Sequence, residues 1–161
     1  MRRTESERAI DLAYKAVSRR DLTVAELRTT LVRKRVPPEA IDDAVAELRD
    51  TGFLDDARYA RQFAEDKREL EQWGTERIAA DLRRRGVDPQ LIDAAVSTHS
   101  RDSELRTALL LLSQRYPRAP QDDRERDRAW GMLVRRGYSS DIAYDAIRAW
   151  ERAERERRRA A

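Results

Sequence analysis

The stretch that decides the fold reads Gly52-Phe53-Leu54-Asp55-Asp56-Ala57-Arg58-Tyr59-Ala60-Arg61-Gln62-Phe63. Gly52 suits the left-handed residue that closes a helix C-terminus. Asp55 suits an N-cap, because its carboxylate can accept hydrogen bonds from the free N–H groups of the first helical turn. Leu54 and Tyr59 flank this cap at the spacing of a hydrophobic staple. The stretch therefore predicts a joint between two helical units.

The two sides of this joint are related by a repeat of 51 residues. Equivalent positions in the three copies are Leu31, Leu82 and Leu133, then Val36, Val87 and Tyr138, then Val45, Val96 and Ile147. A fixed period is typical of proteins built from tandem structural units. A unit of about 50 residues buries little apolar surface and is only marginally stable alone, so neighbouring units are expected to pack together. We expect the last three positions to be buried in equivalent places.

Each copy of the repeat reads as three helices, which we call helices A, B and C of a module. In the first module, helix B is expected to begin at Val24, within the capping box formed by Thr23 and Glu26, and helix C at Pro38. The sequence predicts an all-α fold, in which three tandem three-helix modules form a short curved, solenoid-like array. The predicted modules are residues 1–54, 55–102 and 103–161, the last with a charged C-terminal helix extension.

Composition and charge narrow the classes of protein that remain. The chain has 34 basic and 31 acidic residues, a net charge of +3, and no cysteine, which excludes disulfides and thiolate chemistry. The net charge is +1 for residues 1–53, −3 for residues 54–104 and +5 for residues 105–161, whereas a simple nucleic-acid coat would be basic throughout. With no apolar run long enough to cross a bilayer and no signal-peptide pattern, we expect a cytoplasmic monomer without a membrane partner.

Candidates for catalysis are few. The single histidine, His99, lies in a polar stretch that indicates a solvated side chain at a helix end. The paired aspartates are adjacent in sequence, so on a helix their carboxylates diverge by about 100° and suit caps or solvated faces. The five glycines form no phosphate-binding loop. We expect no enzymatic activity, no metal ion and no cofactor.

Clusters of basic residues recur at one place in the repeat, the last turn of each helix B. They are Arg33, Lys34 and Arg35 in the first module, Arg83, Arg84 and Arg85 in the second, and Arg135 and Arg136 in the third. One interpretation is electrostatic, because cations at a helix C-terminus stabilise the helix by about 0.3–1 kcal/mol each. The other is functional, because a periodic ribbon of cations can bind an anionic partner such as a nucleic-acid backbone. These eight residues are the candidate binding site, and both interpretations stay open.

Several segments of the chain resemble the RecX family of bacterial recombination regulators. The resemblance is carried by Gly52 to Ala60, Trp73-Gly74, Arg77-Ile78 and Leu82 to Val87, with Ala25 to Arg28 upstream and Leu133 to Tyr138 downstream. It spans roughly residues 8–150, and its motifs occur in the right repeats and in order. The chain departs from the family pattern at Arg35, where a glycine is expected after the basic pair. The first helix B is therefore expected to end differently from the other two.

The resemblance implies a non-enzymatic modulator of the RecA recombinase. RecX-like proteins bind RecA and its nucleoprotein filament, lodge along the filament groove, and inhibit strand exchange and ATP hydrolysis. The implied partners are RecA and the RecA–DNA filament, with single- or double-stranded DNA as a further ligand.

Two other classes of function stay open. A three-helix module can be a relative of the helix-turn-helix, with helix C as the reader of bases in a DNA-binding regulator. Against this, Glu39 to Leu48 and Gln90 to Val96 carry few of the side chains that read bases. The second alternative is a helical protein–protein scaffold with no role on nucleic acid.

Overall fold

The computed structural model describes residues 3–161, and the regular elements in that range are all α-helices. In chain order they are α1 (Glu5–Arg19), α2 (Val24–Arg33), α3 (Pro38–Asp50), α4 (Asp56–Glu71), α5 (Thr75–Arg84), α6 (Pro89–Val96), α7 (Arg101–Arg115), α8 (Asp123–Arg135) and α9 (Ser140–Ala160). The all-α prediction is confirmed, with three helices for each copy of the repeat. None of the helices formed by residues 3–161 has both the length and the apolar character needed to cross a membrane.

The helix starts follow the local capping signals. Thr23 accepts a hydrogen bond from the Glu26 N–H, and the Glu26 carboxylate accepts one from the Thr23 N–H, so the capping box of α2 is confirmed. Pro38 begins α3. Asp55 accepts from the Arg58 N–H at 3.0 Å at the start of α4. These contacts join residues three apart and satisfy N–H groups that a helix start leaves free.

Helices α2, α5 and α8 end in the same way, which corrects one expectation. The second residue after the end of each of these helices has a positive φ, which is +57° at Arg35, +78° at Gly86 and +98° at Gly137. The Arg35 N–H donates to the Val32 carbonyl at 2.9 Å, and each glycine makes the equivalent bond at 3.0 Å. The expectation of a different end at Arg35 is therefore wrong. Arg35 adopts the left-handed conformation at a cost of about 1–2 kcal/mol that glycine avoids.

The helices form two compact units, and the first contains the described residues up to Gln62 together with Asp81–Ala95. Its core lies where α1 and α2 pack on α3. Leu31 and Leu48 are fully buried there. Leu54, from the joint stretch, is 2% exposed and belongs to the same core.

The second unit contains Phe63–Ala80 and Val96–Ala161, with a core among α7, α8 and α9. Ile147 is buried in this core, as Val45 is buried in the first unit, whereas Val96 is half-buried. The expected equivalence holds for two of the three positions and in part for the third. Because α4 and α5 contribute residues to both units, the module boundaries at residues 54 and 102 stay a prediction.

Candidate cationic binding site

A cationic groove lies between α2 and the C-terminal end of α5, within the first unit. Its volume is about 240 Å³, and we call it the α2–α5 groove. Its lining residues are Arg20, Ala25, Glu26, Thr29, Thr30, Arg33, Arg84, Arg85 and Gly86. The groove joins cations of the first and second basic clusters, which the 51-residue repeat separates in sequence. Four guanidinium groups and one carboxylate line it, so its net charge is positive.

The turn after α5 approaches α2 so closely that only glycine fits. A Cβ atom added at Gly86 would lie 2.4 Å from the Cβ atom of Ala25, whereas carbon atoms in good contact are about 3.5–4.0 Å apart. The φ of +78° at Gly86 also favours glycine. This close approach brings the end of α5, with its basic cluster, beside α2.

Arg85 is the groove cation most occupied by contacts inside the protein. Its guanidinium donates to the Tyr59 hydroxyl at 2.8 Å. It also lies 3.4 Å from a carboxylate oxygen of Glu26 and 3.3 Å from one of Asp81. Burial, and then the charge of Glu26, raise the pKa of Tyr59 despite the opposing guanidinium, so the phenol stays neutral. Arg85 therefore positions α5 and has little charge left for an external ligand.

Arg33 and Arg84 are the open cations of the groove. The Arg84 side chain is 69% exposed and forms an ion pair with Asp81. Burial alone would raise the pKa of Asp81, but hydrogen bonds from Arg84 and Arg85 outweigh it and lower the pKa below its ordinary value. Arg33 is exposed and forms no ion pair with any of residues 3–161. Its charge is therefore available to a partner.

The other predicted site residues lie outside the groove. Lys34, Arg35 and Arg83 are exposed in the first unit. The backbone carbonyl of Lys34 accepts a hydrogen bond from the Arg8 guanidinium at 3.2 Å. Arg135 is exposed and belongs to the second unit.

The N-terminus of α2 is closed by groups from the following repeat. Thr23 is fully buried, and its hydroxyl donates to the Arg85 carbonyl at 2.7 Å. The Val24 N–H donates to the Asp56 carboxylate at 2.9 Å. Burial raises the pKa of Asp56, although the bond from Val24 opposes the rise. A carboxylate at a helix N-terminus is favourable. These contacts form what we call the N-terminal joint of α2, which attaches the helix to α4 and to the turn after α5.

The N-terminus of α5 is closed in the same manner within the second unit. The Gly74 N–H donates to the Arg136 carbonyl at 2.8 Å, and the Thr75 N–H donates to the Glu104 carboxylate at 2.6 Å. Glu104 is only 8% exposed. A Cβ atom at Gly74 would lie 2.4 Å from the backbone of Gly137, which explains why this N-cap position holds a glycine.

Residues of the second and third basic clusters thus hold helix N-termini in place, in addition to presenting charge at the surface. The carbonyls of Arg85 and Arg136 accept the N-cap hydrogen bonds from residues 62 positions earlier. The Arg136 guanidinium also donates to the Glu71 carbonyl at 2.6 Å. Both arginines are half-buried. This role differs from both interpretations of the clusters, which were stabilisation of a helix C-terminus and binding of an anionic partner.

Sequence reasoning missed three functional positions, Arg20, Asp56 and Glu104. Arg20 belongs to no basic cluster and reaches the groove from the turn between α1 and α2. Asp56 and Glu104 had a signal in the repeat, because each is an acidic residue early in a helix A that follows the helix B it caps. The sequence indicates an acid at these positions but not which helix N-terminus it meets.

The fold and the groove together define a class of protein, a helical-repeat protein with guanidinium groups gathered in a cationic groove. Among residues 3–161 no group of three or more His, Cys, Asp or Glu side chains could hold a metal ion. His99, expected in solvent, is half-buried, and its pKa is lowered first by burial and then by the charge of Arg68.

Comparison with known proteins assigns the family. Models of the first and second three-helix domains of RecX match residues 9–48 and 55–96. Regulatory protein RecX of Trichlorobacter lovleyi is 38% identical over 135 residues, which cover 81% of this chain and 87% of the relative. Regulatory protein RecX of Deinococcus radiodurans is 32% identical over 147 residues, which cover 91% of this chain and 70% of that relative. The crystal structure of RecX from Lactobacillus salivarius aligns with a TM-score of 0.82 at 18% identity, over 91% of this chain and 97% of that chain. The chain belongs to the RecX family.

Proposed function

We propose that this chain regulates the RecA recombinase. It binds RecA and the RecA–DNA filament in the cytoplasm, limits strand exchange and ATP hydrolysis, and catalyses no reaction of its own. The observation that carries the proposal is membership of the RecX family, in which the relatives bear the name of regulatory protein and two domain models match successive three-helix units.

The chemistry of the α2–α5 groove supports contact with the DNA of such a filament. A planar guanidinium group matches the geometry of a phosphate and can donate two parallel hydrogen bonds to it. Arg33 has no ion-pair partner among residues 3–161, and the exposed Arg84 pairs only with Asp81, whose charge it shares with Arg85. The groove therefore has positive charge left for phosphate groups.

The remaining cations fall into two roles under this proposal. Lys34, Arg35, Arg83 and Arg135 are exposed and extend the contact surface of their units. Arg136 acts by holding its joint, through the carbonyl and guanidinium contacts described above, as Arg85 does in the first unit.

Replacing Arg33 and Arg84 with alanine tests the groove. The double variant should bind RecA filaments on single-stranded DNA more weakly, because fewer counterions are released. Loss of two phosphate contacts should reduce the slope of log K against log salt by about 1.4. Fluorescence anisotropy of the labelled chain, titrated with filaments at several salt concentrations, measures both quantities. The matched control replaces Lys15 and Arg19, two exposed cations of α1 outside the groove.

The same proteins separate the proposal from the two alternatives. Inhibition of RecA ATP hydrolysis should require more of the groove variant than of the control. A protein–protein scaffold predicts binding to RecA that the groove variant leaves unchanged at every salt concentration. A helix-turn-helix regulator predicts tight binding to one duplex sequence without RecA. Either of these results, or equal losses in variant and control, contradicts the assignment of the groove.

A further inference from the structure

A cavity in the second unit has no part in the proposed function. It is formed by the segment between α7 and α8 together with α8 and α9, and its volume is about 190 Å³. Its apolar walls are Tyr116, Pro117, Pro120, Ala129 and Trp150, and we call it the Tyr116–Trp150 cavity. Small-molecule sites usually measure about 300–1,000 Å³. A cavity of this smaller size suits one large side chain of a protein partner.

Hydrogen bonds hold the walls of this cavity in place. Arg118 donates two bonds to Glu125, at 2.9 and 3.0 Å, and the Gln121 N–H donates a third at 2.8 Å. The Arg118 bonds, followed by the one from Gln121, lower the pKa of Glu125 to about 2. The Ala119 N–H donates to Glu154 at 2.5 Å and so ties the segment to α9. A cavity that is already ordered loses little conformational entropy on binding.

The ring of Trp150 packs against that of Tyr116 and is largely withheld from solvent. The ring centroids of Tyr116 and Trp150 lie 6.2 Å apart with their planes at 40°. Trp150 is 6% exposed. Stacking of a nucleic-acid base requires an open ring face, which Trp150 does not offer. The rings instead provide an apolar wall for a side chain that enters the cavity.

One cation on the rim of the cavity, and another beside it, have no acidic partner among residues 3–161. Arg128 lines it and forms no ion pair with any of residues 3–161. Arg157, which lines an adjoining cavity that shares both aromatic rings, likewise forms none within that range. The two carboxylates nearby, Glu125 and Glu154, are each paired with an arginine. The rim therefore has uncompensated positive charge beside an apolar cavity.

We propose that the Tyr116–Trp150 cavity is a docking site for a short acidic peptide segment of a protein partner. The segment inserts one large apolar side chain into the cavity, and its carboxylates pair with Arg128 and Arg157. Interfaces often concentrate their binding energy in this way, with an apolar anchor in a small pocket and polar contacts around it. A nucleic-acid strand fits less well, because its phosphate backbone has no apolar group that could fill the cavity.

A direct binding assay on the whole chain tests the proposal without RecA or DNA. The probe is a fluorescent peptide of about ten residues with one phenylalanine between two pairs of acidic residues. Three comparison probes are the same peptide with alanine for phenylalanine, the same peptide with lysines for the acids, and a single-stranded oligonucleotide. Anisotropy should show saturable binding of the acidic phenylalanine peptide and much weaker binding of the three comparison probes.

Charge reversal at the rim supplies the matched variants. Arg128→Glu should weaken binding of the acidic peptide by about tenfold, since it turns an attraction into a repulsion. Arg124→Glu makes the same change on an exposed part of α8 outside the cavity and should change binding less than about twofold. Arg157→Glu gives a second, independent reversal. All three residues are exposed, so thermal unfolding should be unchanged.

Several outcomes would overturn the proposal. They are no saturable binding of the acidic peptide, equal binding of the alanine or lysine peptide, or equal losses in Arg128→Glu and Arg124→Glu. Oligonucleotide binding that displaces the peptide and is lost in Arg128→Glu would assign the cavity to nucleic acid instead. Because the assay contains no RecA, its failure leaves the α2–α5 groove proposal standing, and failure of the groove test leaves this one standing.

Discussion

Replacement of Gly86 with alanine should destabilise the chain far more than the same change at Gly52. Both glycines have a φ of +78°, so alanine is strained at each. The strain is about 1–2 kcal/mol, partly offset by about 0.4–1 kcal/mol from the stiffer unfolded chain. At Gly52 no atom lies within 4 Å of an added Cβ, whereas at Gly86 the Cβ of Ala25 lies at 2.4 Å.

The contact with Ala25 sets the difference between the two variants. Overpacking of this kind costs about 1–3 kcal/mol, so we expect a loss of about 1 kcal/mol at Gly52 and about 2–4 kcal/mol at Gly86. Urea unfolding followed by helical circular dichroism measures both losses. With a slope of about 1–3 kcal/mol per molar urea, the midpoints of the two variants should be clearly separated.

A double-mutant cycle isolates the contact itself. Ala25→Gly removes the methyl group that clashes with the new side chain at position 86. The double variant Ala25→Gly/Gly86→Ala should therefore be about 1–3 kcal/mol more stable than the sum of the two single losses predicts, and this difference is the coupling energy. The same substitution combined with Gly52→Ala should show no coupling. Equal losses at the two glycines, or no coupling between positions 25 and 86, would refute the close approach of α5 to α2 on which the groove depends.

Four further changes test other parts of the structure. Arg35→Gly should stabilise the chain by about 0.5–1 kcal/mol in urea unfolding, because relief of left-handed strain exceeds the entropy that glycine adds to the unfolded chain. Leu54→Ala should cost about 2–4 kcal/mol in the same assay, since this side chain is 2% exposed in the core. Asp56→Ala should cost about 1 kcal/mol, because the Val24 N–H loses its acceptor; a loss near zero would contradict the joint. His99→Gln should reduce the pH dependence of the melting temperature. The lowered pKa of His99 favours the neutral form in the folded state, so its contribution is complete above the unfolded-state pKa of 6.5 and is lost as the pH falls through the folded pKa.

The helix ends show which features of the fold can be predicted from residues that are close in sequence. The capping box of α2 and the N-cap of α4 were predicted, because each depends on side chains and backbone groups three residues apart. The left-handed turn at Arg35, which follows the end of α2, was not predicted. There the Val36 N–H donates to the Leu31 carbonyl at 3.1 Å, and Val36 is 5% exposed in the core. Burial of Val36 holds its neighbour in a conformation that the residue type alone disfavours.

The sequence by itself determined the helices, their repeat and the family, because caps, left-handed turns and a constant period are written in short segments of the chain. It also indicated where the cations cluster. Only the tertiary structure decided which cations are open. Arg33 and Arg85 occur in equivalent clusters, yet Arg33 faces a groove without an ion-pair partner among residues 3–161, while Arg85 is held by Tyr59 and Glu26. Those two partners lie 26 and 59 residues away from Arg85. Pairing over such distances depends on how the helices pack, which no local pattern of residues specifies.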